Sequence, residues 1–178
     1  MRWDALFDDL DGQWDAEQRL EREGEVVDRL RREQAALTLD DRLAATHGRR
    51  LSVELLGGLR LSGAVVDLGD GWFQLEDAGR ALVVTSAVTT LTGLGRGAGP
   101  AGGSRRLGLG YALRRVSRDR RSVRMHLVDG QVREGHLGAV GADHVELHEH
   151  PVDVSARRRE TRAVVVVTHR ALAAVLEA

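Results

Sequence analysis

Two stretches of this chain repeat one another at a fixed offset, and that repeat limits the folds open to it more than any other feature. Leu51, Val53, Leu55, Gly58, Gly63, Val65, Leu68, Gly69, Phe73 and Leu75 recur 72 positions later as Val123, Met125, Leu127, Gly130, Gly135, Leu137, Val140, Gly141, Val145 and Leu147. Five of the ten pairs are identical and three of those are glycines, so the turns are kept along with the apolar pattern. After a 12-residue insertion the offset becomes 84, and Val83, Ala87, Val88 and Leu91 match Val167, Ala171, Leu172 and Val175. One small unit has been built twice.

Within each copy the apolar residues alternate. Leu51, Val53 and Leu55, then Val123, Met125 and Leu127, share one face, while Ser52, Glu54, Arg124 and His126 take the other, the pattern of a strand with one wet side. Gly57-Gly58 and Asp129-Gly130 are tight-turn dipeptides that join the first two strands as hairpins. Gly63 and Gly135 fall inside the second strand, where a missing side chain marks a sharp bend of the kind that closes a small barrel. The expected fold is mainly β with helices: two tandem five-stranded bent barrels, residues 49–94 and 121–176, each preceded by a short helix. Those helices run from Leu39 to His47, opened by Asp40 or Asp41, and from about Leu109 to Arg118. Gly93 to Gly103 holds six glycines and one proline, which reads as a flexible linker. The expected organisation is an acidic helical segment at 1–37, a first barrel unit at 38–94, the linker at 95–106, and a second unit at 107–178 with an insertion at about 149–163.

The N-terminal segment carries Trp3, Phe7, Leu10, Trp14, Leu20, Val27, Leu30 and Leu37 at helical spacing, with a charged opposite face. Residues 1–37 hold 11 Asp/Glu and 6 Arg, net −5, whereas 38–178 hold 16 and 20, net +4. Trp3, Phe7, Leu10 and Trp14 are the anchors expected to hold a partner helix or a second copy. Together with apolar strand edges they predict a homo-oligomer, a dimer being favoured.

A helix followed by five bent strands, with a turn glycine, four residues and a bend glycine, resembles the Sm-like family of LSm proteins and the bacterial RNA chaperone Hfq. The resemblance covers roughly 38–94 and 107–176: Asp129-Gly130 to Gly135 matches the family's opening, and Thr85-Ser86-Ala87-Val88 with Leu91 its close. It implies a bacterial, non-enzymatic RNA-binding protein. The uridine-binding residues of the family do not carry over. Gly69-Asp70-Gly71-Trp72, Gly141-Ala142-Asp143-His144 and Thr92-Gly93 stand where its Asp, Asn and Arg-Gly would be.

The residues themselves offer an arginine cluster. Arg105, Arg106, Arg114, Arg115, Arg118, Arg120, Arg121 and Arg124 are eight in twenty positions, countered only by Asp119, and the insertion adds Arg157, Arg158, Arg159 and Arg162. Arg114, Arg118 and Arg121 lie on neighbouring helical turns and suit a phosphate backbone. Base-stacking groups are scarce: of six aromatics, three lie in the N-terminal segment, leaving Trp72, at a turn, as the platform to watch and Tyr111 as the other. His144, His148 and His150 with Glu146 alternate along one strand, but i, i+2 spacing of about 7 Å is too wide for more than two to share an ion, so an exposed polar face is preferred to a metal site. No cysteine and no lysine exist, which excludes thiolate chemistry and a phosphate loop ending in Lys. Neither enzyme activity nor a cofactor is expected. The expected function is contact with nucleic acid, RNA before DNA, through the arginines; the alternative is a protein-interaction scaffold whose acidic helix recruits a basic partner. No run is apolar enough to cross a bilayer and no signal peptide is recognisable, so a cytoplasmic location without membrane contact is expected.

Overall fold

The computed structural model describes residues 29, 31–32, 34–95, 97, 107–149 and 163–178. The chain divides between Thr38 and Leu39 into two compact units. In the first, the described residues between 29 and 36 are helical and exposed. The anchors Trp3, Phe7, Leu10 and Trp14 lie outside the described residues.

The second unit opens with helix α1 (Leu39–Ala44), whose first turn carries Asp40 and Asp41, where carboxylates oppose the positive end of the helix. Thr46 is fully buried just beyond it. Its hydroxyl donates to the Arg42 carbonyl at 2.8 Å and accepts from the Gly95 amide at 3.1 Å, so the polar group is satisfied and the end of the first repeat is tied to its helix. Five strands follow: β1 (Arg50–Leu55), β2 (Arg60–Gly69), β3 (Trp72–Glu76), β4 (Arg80–Val84) and β5 (Val88–Thr92). Helix α2 (Leu109–Arg118) begins the second repeat, and β6 (Ser122–Leu127), β7 (Val132–Val140), β8 (His144–Glu149), β9 (Val164–Thr168) and β10 (Leu172–Glu177) complete it.

The described fold is thus mainly β, and all ten strands join one open antiparallel sheet in the order β5-β1-β2-β3-β4-β10-β6-β7-β8-β9. The repeat extends to the pairing. Leu51 opposes Gly63 as Val123 opposes Gly135, and Val65 opposes Leu75 as Leu137 opposes Leu147. Phe73 opposes Val83 as Val145 opposes Val167, and Val53 opposes Leu91 as Met125 opposes Val175. Irregularities fall at matching places too, between Val65 and Asp67 in β2 and between Leu137 and Val140 in β7. The repeated apolar residues form the core, with Leu51, Val53, Val65, Phe73, Leu75 and Val83 buried alongside their counterparts in the second copy. Gly63 and Gly135 are glycines because backbone passes there: a Cβ on Gly63 would lie 2.8 Å from the Glu76 carbonyl oxygen, and one on Gly135 would collide with that of His148.

The halves do not form separate sheets. They are joined edge to edge by β4 and β10, with Val83 opposite Ala174, Leu82 opposite Val175 and Ala81 opposite Leu176. This joint buries Ala81 to Val84 and Leu172 to Val175 without interruption, hence the unbroken apolar runs in two strands that would otherwise alternate.

Candidate nucleic-acid interface

Helix α2 is placed by both repeats. On its inner side Ala112 and Leu113 are buried, and the Ser117 hydroxyl donates to the carbonyls of Leu137 and Gly138 at 3.3 and 3.1 Å, seating the helix on β7. Its N-terminal end is held by the first repeat. The Leu107 carbonyl accepts from the Asp70 amide at 3.0 Å and from the Trp72 indole at 2.8 Å. Arg115 crosses to Asp67 on β2 at 3.1 Å.

The outer side of α2 carries Tyr111, Arg114, Arg115 and Arg118, at helical spacings of three, four and seven. Among the described residues Arg114 and Arg118 form no ion pair, whereas Arg115 is engaged by Asp67 and Arg121 lies 3.7 Å from Glu177. Arg124, on β6, pairs with Glu134 at 2.8 Å. Charge near the helix end is therefore partly spent on structure, and Arg114 and Arg118 remain to meet an anion. Arg105, Arg106, Arg157, Arg158 and Arg159 lie outside the described residues.

Trp72 is not a stacking platform. It is 2% exposed, packed between the repeats with its one donor satisfied, because a Trp at the joint offers more apolar area than any other side chain and its N–H reaches a carbonyl. Tyr111, 38% exposed, is left as the accessible aromatic on the arginine face. Its place was legible in the i, i+3 spacing to Arg114. What the sequence concealed was Asp67, which pairs with an arginine 48 positions away.

A small cavity of about 80 Å³ lies under α2 at the joint, lined by Trp72, Leu82, Arg115, Val116, Arg121 and Glu177 among others. No family model, no curated protein and no solved structure matches this chain. The candidate site therefore rests on its own geometry.

The histidines are spread out. On β8, His144 and His148 share the half-exposed face with Glu146 while Val145 and Leu147 point inward. His144 Nδ1 lies 2.8 Å from the Asp143 carboxylate, and His148 stands opposite His136 on β7. Among the described residues no three His, Asp or Glu side chains converge to hold a metal ion. His150 lies outside them. No helix among the described residues is long and apolar enough to cross a membrane.

Proposed function

We propose that this chain is a non-enzymatic tandem Sm-like protein, each five-stranded half curling into a bent barrel, that contacts single-stranded nucleic acid, RNA before DNA, through the outer face of α2. The observation that carries this is the grouping of Tyr111, Arg114 and Arg118 on one outer helical face, with both arginines unpaired among the described residues. Arginine supplies phosphate contacts that do not read sequence, and one aromatic supplies a stacking surface that any base can use. The Sm-like assignment is supported by the helix ahead of each repeat and by the matched pairing of the two halves.

The test is titration of the purified protein with several unrelated single-stranded RNAs at stepped salt, followed by fluorescence anisotropy. Arg114→Ala combined with Arg118→Ala should weaken all of them alike and reduce the slope of log affinity against log salt by about 1.4, at roughly 0.7 for each phosphate no longer neutralised. Equal binding by the variant, or none by the wild type at low salt, leaves the scaffold function. That alternative is favoured by the pairing of Arg115 and Arg121 with carboxylates, and in it the acidic N-terminal helix takes a basic protein partner.

A further inference from the structure

Residues that the two repeats share are the ones the fold requires, so the positions at which they differ are open to another use. The cavity under α2 contains both kinds. Its floor is apolar and buried, made by Trp72 on β3, Leu82 on β4, Val123 on β6 and Val175 on β10. Charged and polar side chains stand around this floor, and four of them are not kept by the repeat. Gln74 and Arg80 correspond to Glu146 and Val164, and Asp119 and Glu177 correspond to His47 and Gly93. Arg115 and Arg121 of the second repeat line the same cavity as Arg80 of the first because β4 pairs with β10.

Both signs of charge are left over at this rim. Arg80 donates its Nε–H to Glu76 at 3.1 Å, and its terminal nitrogens have no partner among the described residues. Arg121 lies 3.7 Å from Glu177, too far for a hydrogen bond, and Arg115 donates from one Nη1 to Asp67. A guanidinium carries five N–H donors, so most donors of these three arginines are unfilled among the described residues. Asp119 is exposed and forms no ion pair among the described residues. A bare anion would be repelled by Asp119, and a bare cation would meet three arginines. A small molecule that carries an ammonium and a carboxylate on one carbon satisfies both.

We infer that this cavity binds a free aliphatic α-amino acid. Its side chain lies on the Trp72, Leu82, Val123 and Val175 floor, where apolar surface is taken out of water. Its carboxylate takes charge-assisted hydrogen bonds from Arg80 and Arg121, and its ammonium pairs with Asp119. A residue inside a polypeptide lacks both charges and a terminal residue lacks one, so the free zwitterion is the form that fits. The site goes beyond nucleic-acid contact and does not depend on it. Arg114 and Arg118 are not among the residues that line the cavity, and the titrations contain no RNA.

Isothermal titration calorimetry of the full chain with L-leucine and L-valine tests the site. One of the two should bind with a Kd of about 1 mM or tighter. Glycine keeps both charges but has no side chain, and should bind at least about tenfold more weakly. Isocaproate, which is leucine without its ammonium, and isoamylamine, which is leucine without its carboxylate, should each fall by at least about tenfold as well. Arg80→Gln and Asp119→Asn replace exposed side chains, and each should weaken the amino acid at least about tenfold while the chain still melts as a folded protein. Arg133→Gln removes an arginine charge on β7 that does not line the cavity, and should leave binding unchanged. Failure of the folded wild type to bind either amino acid overturns the proposal. So does equal binding of glycine, isocaproate or isoamylamine, or undiminished binding by the chain carrying both Arg80→Gln and Asp119→Asn.

Discussion

Gly57 and Gly130 meet backbone to backbone. A Cβ on Gly57 would sit 2.7 Å from the Gly130 amide nitrogen and 2.8 Å from the Leu127 carbonyl oxygen, and one on Gly130 would sit 3.2 Å from the Gly57 carbonyl oxygen. The two residues belong to the first hairpin turns of the two repeats, so the repeats touch at these turns as well as along β4 and β10. No side chain fits between them.

That approach separates two adjacent glycines in what they tolerate. Gly57 and Gly58 both have φ of +82°, but nothing lies within 4 Å of a Cβ on Gly58. Gly58→Ala should therefore cost only the left-handed backbone penalty, about 1 kcal/mol. Gly57→Ala adds a collision with backbone that cannot step aside, and should cost about 3 kcal/mol. Urea unfolding of the two variants beside the wild type measures the difference; equal losses would mean that the turns do not touch in solution.

Trp72 ties the repeats through both its area and its one hydrogen bond. Trp72→Phe keeps most of the apolar packing but removes the donor to the Leu107 carbonyl, which still accepts from the Asp70 amide, so a loss of about 1 kcal/mol is expected. Trp72→Ala empties the site and should cost about 4 kcal/mol. Calorimetry on both variants checks the order, which a surface platform at position 72 would not produce.

On the proposed interface, stacking and charge are separable. Tyr111→Ala should weaken single-stranded RNA binding by about 2 kcal/mol and leave the salt slope unchanged, because stacking releases no counterions. Arg118→Ala should do the reverse in kind, lowering the slope by about 0.7. Anisotropy titrations at three salt concentrations distinguish the two.

The repeat made the hairpins readable from sequence, and local spacing and turn chemistry made Leu109–Arg118 and the turn at Asp129-Gly130 readable too. The joint was less readable. Leu82 and Val166 occupy equivalent positions with similar side chains, yet one is buried and the other exposed, and only the choice of neighbouring strand decides which. Trp72 misled for the same reason: a turn position in sequence is a surface position unless another repeat covers it. Arg115 likewise offered charge, but Asp67, distant in sequence, takes part of it.

Mild acid should weaken the fold through two histidines. His169 opens the 3-10 turn between β9 and β10, and its Nε2 is buried with no hydrogen-bond partner among the described residues; Thr85, its counterpart between β4 and β5, likewise has a buried hydroxyl without one among them. Burial, the largest cause, holds the His169 imidazole below its ordinary pKa, opposed by the nearby Asp143 carboxylate and by a hydrogen bond with the His144 backbone and assisted by the charges of His144 and Arg114. His126 is lowered in the same direction by burial and then by Arg124. Both rings are thus more easily protonated in the unfolded chain, whose histidines titrate near pH 6.5. Stability is full above that value and falls as pH drops below it toward the lowered native values, since the unfolded state then binds more protons. Asp143 and Asp77, also lowered, lose their contribution only as pH falls through the ordinary carboxylate range near 4, so a window from about pH 7.5 to 5.5 isolates the histidines. Unfolding free energy measured across it should decline with acid in the wild type. The decline should be shallower in His169→Thr, which installs the residue that the first repeat uses at this place, and shallower still with His126→Gln added. A wild-type curve flat across that window would show that neither ring is held neutral by the fold.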